Sequence, residues 1–285
     1  MLIDAHTHVF SDAVLQRRAE FAERDRWFGQ LNPPGSRRLA SPRRLIAAME
    51  AGGIDAAVVL SFGWADQAIC VEQNDCVLEA ARTHPGRLIP FCTVQPRAGP
   101  AALAELERVA RLGCRGIGEL FPDGQDFALD EPGMMGPLLE ACAALGLILL
   151  VHGSEPVGRP YAGKGRTTPD RLLGLAQLAA DVAPEVPLIF AHLGGGLVFY
   201  EHMPDVRRAT ARVYYDTGAA AYIYEPSALL HAASVAPQRV LFGSDYPVIG
   251  LQRMQGYAAS AALPEALQRA VMGENAARLL GFHGL

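Results

Sequence analysis

The chain has 285 residues, half of them hydrophobic, and a formal charge of −5. That length accommodates one large domain or two ordinary ones, and the acidic balance lacks the basic footprint a nucleic-acid or membrane-surface protein needs. Five cysteines without a Cys-x-x-Cys pair read as reduced core thiols and point to a cytoplasmic location, while no leader and no apolar run of roughly 20 residues, the length of a membrane span, is visible.

Short apolar runs alternate with longer amphipathic ones. Strands are predicted at Leu2–His6, Ala56–Ser61, Leu88–Thr93, Gly116–Leu120, Leu147–His152, Leu188–His192, Val213–Thr217 and Val240–Asp245. Helical patterns lie between them, at Ser41–Ala51, Val71–His84, Ala101–Leu112, Pro137–Leu145, Asp170–Ala183, Tyr200–Thr210 and Pro226–Ala236, with a closing helix at Pro264–Leu280. Ser41-Pro42 supplies a helix N-cap and first-turn proline, and Gly52-Gly53 and Gly113 terminate helices. Eight strands alternating with eight helices are the pattern of an α/β (β/α)8 TIM barrel; an open doubly wound sheet is the competitor. No linker or repeat divides the chain, so a single domain over 1–285 is expected. The stretch 10–40 reads as irregular and charged, long enough to form a lid or side wall.

Active sites of such barrels lie at the C-terminal ends of the strands, so polar residues that end apolar strands are the informative ones. His6 and His8 end the first strand, and side-chain alternation puts them on one face with Asp4. Two imidazoles so placed can grip a transition-metal ion. Glu119 ends the fourth strand, His152 the fifth, His192 the sixth and Asp245 the eighth. Any one of these has an ordinary structural explanation. Four histidines and two carboxylates at the same relative position in five strands do not. His84, His202, His231 and His283 lie in helices or near the C-terminus and receive no role.

Asp4-Ala5-His6-Thr7-His8, the histidine ending strand five, Ala191-His192-Leu193-Gly194-Gly195 and Phe242-Gly243-Ser244-Asp245-Tyr246-Pro247 resemble the amidohydrolase superfamily over nearly the whole chain. The nearest likeness is to its amidohydrolase-related branch of hydrolases, lactonases, hydratases and non-oxidative decarboxylases. The resemblance implies that His6, His8, His152 and Asp245 are metal ligands, with His192 a ligand of a second metal or a group polarising the substrate. Many members place a carbamylated lysine on the fourth strand; here Gly116-Ile117-Gly118-Glu119 instead looks like the metal-dependent DNase branch, whose glutamate bridges two metals. One or two divalent ions are therefore implied, Zn²⁺ first, with Mn²⁺ or Fe²⁺ also compatible with imidazole and carboxylate ligands.

The main expectation is a hydrolase that cleaves an ester, lactone or amide of a small carboxylate-bearing substrate with metal-activated water. Asp245 would accept and return the proton, and His192 would stabilise the oxyanion. The alternative on the same scaffold is a non-oxidative decarboxylase or hydratase of a small aromatic or dicarboxylic acid. A nuclease, suggested by Glu119, is opposed by the acidic charge, and a non-catalytic protein with a structural zinc is opposed by a ligand set without cysteine. In the loop after strand five, Arg159, Lys164 and Arg166 are candidates for pairing with a substrate carboxylate or phosphate, and Tyr161 joins Lys164 and Arg166 as a substrate-binding candidate. Phe62, Trp64, Tyr222, Tyr224 and Tyr246 are candidates for an aromatic wall, and Gly194-Gly195-Gly196 reads as a tight turn. The expected partner is a small molecule, with neither nucleic acid nor membrane; a symmetric homodimer would be ordinary for an enzyme of this size.

Overall fold

The computed structural model describes residues 1–36 and 38–282; Arg37 and residues 283–285, His283 among them, lie outside the described residues. Eight parallel strands form one sheet in sequential order: β1 Ile3–His8, β2 Ala56–Leu60, β3 Leu88–Cys92, β4 Gly116–Leu120, β5 Ile148–Val151, β6 Leu188–Phe190, β7 Val213–Asp216 and β8 Val240–Leu241. The cylinder closes between first and last strands: Ala5 N donates to Phe242 O at 2.8 Å, Asp245 N to His6 O at 2.9 Å and His8 N to Tyr246 O at 2.6 Å. The protein is a single-domain (β/α)8 barrel. None of its described helices is long and apolar enough to cross a membrane.

Strand alternation divides the apolar residues between two cores. Ile3, Val58, Ile89, Phe91, Leu150 and Ile189 share the barrel interior with Ala276, Ala277 and Leu280 of the C-terminal helix. Neighbouring strand residues such as Val59, Cys92, Leu149 and Phe190 face outward, packing with Leu45, Met49, Val77 and Leu106 of the surrounding helices. The Phe91 ring fills the interior over Gly116, where a Cβ would stand 2.4 Å from it.

Several helix boundaries differ from the sequence expectation. The helix expected at Pro137–Leu145 begins at Pro132, and Pro137 lies inside it. The first-turn proline was the earlier of two, and only that position loses no hydrogen bond. The expected helix over 200–210 is two pieces, Leu197–His202 and Pro204–Ala209, because Met203 before the proline is extended (φ −84°, ψ 121°). Leu251–Ser260 is an additional helix whose buried Leu251, Met254, Tyr257 and Ala258 recur at helical spacing around Gly256.

The stretch 10–40 is irregular only in part. It contains the helices Asp12–Gln16, Arg18–Arg24 and Arg26–Leu31, capped by Ser11 and Asp25 side chains. Phe10, Val14, Phe21 and Phe28 from this segment enclose Trp64 in a separate small core beside the barrel mouth. The Phe28 and Trp64 ring centroids are 4.7 Å apart.

Candidate active site

His6, His8, Glu119, His152, His192 and Asp245 all meet at the C-terminal mouth of the barrel, and all but the half-buried His152 are buried. His6 and His8 bring their Nε2 atoms to 3.0 Å. Asp245 Oδ1 lies 3.2 Å from His8 Nε2 and 3.8 Å from His6 Nε2, and Glu119 Oε2 is 3.6 Å from each. The other Glu119 oxygen, Oε1, faces a second group: it is 2.9 Å from His152 Nδ1 and 3.4 Å from His192 Nε2. Those two imidazole nitrogens are 3.2 Å apart. Glu119 thus joins two triads, His6–His8–Glu119 and Glu119–His152–His192, each close enough to share an ion.

Backbone geometry aims these groups. The strand register slips between Asp4 and Thr7 on β1, and Asp4 Oδ1 accepts from His6 N at 3.1 Å and Ser244 N at 2.9 Å, tying β1 to the end of β8. Burial raises the Asp4 carboxyl to about 6. His192 and Asp245 both adopt left-handed backbone (φ 58° and 61°), a conformation that costs a non-glycine residue about 1–2 kcal/mol and that turns each side chain into the mouth. The glycines after His192 form a tight turn with close backbone packing, a Cβ on Gly195 falling 2.3 Å from Ser154 O.

The sequence analysis did not single out Asp216, which ends β7 and is fully buried. Its Oδ2 accepts from His6 Nδ1 at 2.9 Å. Its Oδ1 accepts from His192 N at 3.2 Å and Gly218 N at 2.8 Å, and Gly218 O in turn accepts from His192 Nδ1 at 2.7 Å. The same rule that marked the residues of the cluster, a polar residue ending an apolar strand, would have marked it.

The tautomers that follow bear on metal binding. Carboxylate and carbonyl oxygens cannot donate, so the Nδ1 atoms of His6, His8 and His192, facing Asp216, Ser61 O and Gly218 O, carry protons. In the neutral rings each Nε2 then offers a lone pair toward the others and toward the carboxylates, an arrangement that suits a cation. The buried Nε2 of His152 has no protein partner. With protein groups alone, protons take the cation's place. Burial disfavours charge on His6, but Asp216 and Glu119 more than offset it and hold the ring well above its ordinary value. Likewise, against burial, the Glu119 contact lifts His192 to about 9. Burial would raise Glu119, yet His6 and His152 hold it well below the usual carboxylate range.

A cavity of about 390 Å³ opens over these groups. Phe10, Phe62, Phe121 and Tyr222 line its sides, with Arg38 and Arg159 the two guanidinium-bearing residues of its lining. Of the expected substrate-binding residues, Tyr161 lines the cavity, its hydroxyl donating to Glu155 Oε2 at 2.8 Å. Lys164 and Arg166 are outside the lining. Lys164 Nζ pairs with Glu155 at 3.0 Å and donates to Val157 O at 2.7 Å; the Arg166 amide bonds Asp123. Of the expected aromatic wall, Phe62 and Tyr222 face the cavity. Trp64 is sealed in the small core, and Tyr246 is buried with its hydroxyl toward Arg44 O. Phe10 and Arg38 were hidden from the sequence reading because they come from the segment taken as irregular.

Fold and site define a (β/α)8-barrel protein with an imidazole and carboxylate cluster at its catalytic face. A family model described as Amidohydrolase matches residues 3–282, and the chain belongs to that family. No curated protein sequence matches it. Among solved structures it is similar to 5-carboxyvanillate decarboxylase from Sphingomonas paucimobilis (TM-score 0.79, 20% identity, 98% of each chain covered). It is also similar to 2,6-dihydroxybenzoate decarboxylase from Rhizobium (0.76, 19%, 99% of each chain). A third is dihydroxybenzoic acid decarboxylase from Polaromonas sp. JS666 with bound manganese and the inhibitor 2-nitroresorcinol (0.77, 20%, 100% of this chain and 98% of that one).

These likenesses correct the main functional expectation. Hydrolysis of an ester, lactone or amide is not what the similar enzymes do; they are decarboxylases, in line with the lyase alternative. The histidine and carboxylate set misled because it suits both chemistries: a metal held there could polarise an acyl carbonyl or a carboxylate. The cavity above these groups was not legible in the sequence.

Proposed function

We propose that this protein is a metal-dependent, non-oxidative decarboxylase of a small aromatic acid. The observation that carries this reading is the cavity of about 390 Å³ with aromatic side walls, opening directly over the histidine and carboxylate cluster. A planar acid fits between Phe62, Phe121 and Tyr222 with its carboxylate toward the floor. The manganese in one similar decarboxylase favours Mn²⁺ as the cation, which His6, His8, Glu119, His152 and Asp245 would hold. When bound, such an ion would draw in the substrate's carboxylate and an adjacent hydroxyl oxygen and offset their charge.

The remaining work falls to side chains. His192, its Nδ1 committed to Gly218 O, directs Nε2–H at a substrate oxygen and orients the acid. Asp245, at the cavity floor, delivers its carboxyl proton to the ring carbon that bears the carboxylate. The carbon–carbon bond then breaks, its electron pair restores the aromatic ring, CO₂ leaves, and Asp245 is reprotonated from solvent. The aromatic walls keep water from the reacting carbon. Five free cysteines suit a reducing, cytoplasmic setting.

The test is to incubate Mn²⁺-loaded protein with 2,6-dihydroxybenzoate and 5-carboxyvanillate, following CO₂ and the decarboxylated phenol. CO₂ release that disappears in Asp245→Asn supports the reading. No release from a panel of hydroxylated benzoates, by protein confirmed to carry metal, overturns it.

A further inference from the structure

Resting on that reading, we infer that the substrate is a diacid: an aromatic acid whose second acidic group, away from the carbon that loses CO₂, is bound by Arg38 and Arg159. The two arginines come from different walls of the cavity, Arg38 from the segment before the first large helix and Arg159 from the loop after β5. These walls meet at the mouth, where a Cβ on Gly163 would stand 2.8 Å from Leu31 Cδ2. The loop's nearby carboxylate, Glu155, is already occupied by Lys164 at 3.0 Å and by the Tyr161 hydroxyl at 2.8 Å. Arg159 instead donates to a backbone carbonyl, Tyr222 O, at 3.2 Å. Among the described residues, neither Arg38 nor Arg159 forms an ion pair with a carboxylate, whereas Lys164, on the same loop as Arg159, does.

A monoacid would place its one carboxylate at the floor and bring no charge to the two arginines of the lining. A second carboxylate at the other end of the ring satisfies them with the planar, forked hydrogen bonding that arginine supplies. The floor cluster and the arginines then fix both ends of the molecule and set its orientation over Asp245.

The probes are isophthalate (benzene-1,3-dicarboxylate) and benzoate, titrated calorimetrically into Mn²⁺-loaded protein. Wild type should bind isophthalate at least about tenfold more tightly, the worth of one charge-assisted contact. Arg38→Ala/Arg159→Ala should bind the two alike while keeping its affinity for benzoate. Both side chains are exposed, so the variant should fold, with its melting temperature as the check; Arg38→Gln and Arg159→Gln singly give the same reading if it does not. No preference in wild type, or a preference that survives in the double variant, overturns the inference and marks both arginines as solvated rim residues. The two readings fail separately: preference without CO₂ release from any acid removes the decarboxylase alone, and CO₂ release without preference removes the diacid alone.

Discussion

Asp216→Asn isolates how much of the site depends on one buried carboxylate. The substitution preserves shape, and the amide oxygen can still accept from His192 N and Gly218 N, which lie 3.2 and 2.8 Å from Oδ1. The change falls on the other atom. An NH₂ donor replaces Oδ2, 2.9 Å from His6 Nδ1, so His6 must accept there and move its proton to Nε2. That places a hydrogen where the lone pair faced His8, Glu119 and Asp245. Carboxylates of this kind that orient a ligand histidine are worth about 10–100-fold in metal affinity, or about 1.4–2.7 kcal/mol. Mn²⁺ binding by isothermal titration should weaken by that factor; the metal-free variant also loses the buried Asp216–His6 charge pair, so the titration is made on protein shown to be folded by its melting curve. Asp216→Ala differs in kind: it strands two buried amides at about 1–3 kcal/mol each and should lower stability as well. Unchanged Mn²⁺ affinity in a folded Asp216→Asn protein would refute the tautomer argument.

Three further outcomes follow from the same geometry. Metal must displace a proton from His6, which Asp216 and Glu119 hold well above its ordinary value. Apparent Mn²⁺ affinity should therefore climb as pH rises above 6.5, the ordinary value for His6, with protons released on binding; heats that are independent of buffer ionisation would contradict this. Glu201 is fully buried and meets Arg239, Thr210 and Tyr215, so Glu201→Ala leaves Arg239 uncompensated and should cost about 3–5 kcal/mol in urea unfolding. A loss under ~1 kcal/mol would show that water reaches the guanidinium instead. Gly116→Ala drives a methyl into the Phe91 ring at 2.4 Å and should cost about 1–3 kcal/mol, with Phe91→Leu in the same chain recovering part of it; no recovery would place the strain elsewhere.

What the sequence made legible was whatever repeats with a period. Each strand is an apolar run bounded by turn residues, so all eight were placed to within a few residues, and the polar residue ending a run marked His6, Glu119, His152, His192 and Asp245. The cavity walls carry no such signal, because they are assembled from segments with no common spacing. Phe10, Arg38, Phe121 and Arg159 come from four separate connections, and only the closed barrel brings them to one mouth. The stretch 10–40 shows the same limit from within. Its helices of five to seven residues are too short to display an amphipathic period or to persist alone in water; packing Phe10, Phe21 and Phe28 around Trp64 holds them. The chemistry of the floor is thus local in sequence, one residue per strand end. The walls, by contrast, are assembled from tertiary contacts between connections. On this chain the walls supply aromatic faces and two guanidinium-bearing residues above the histidine and carboxylate cluster.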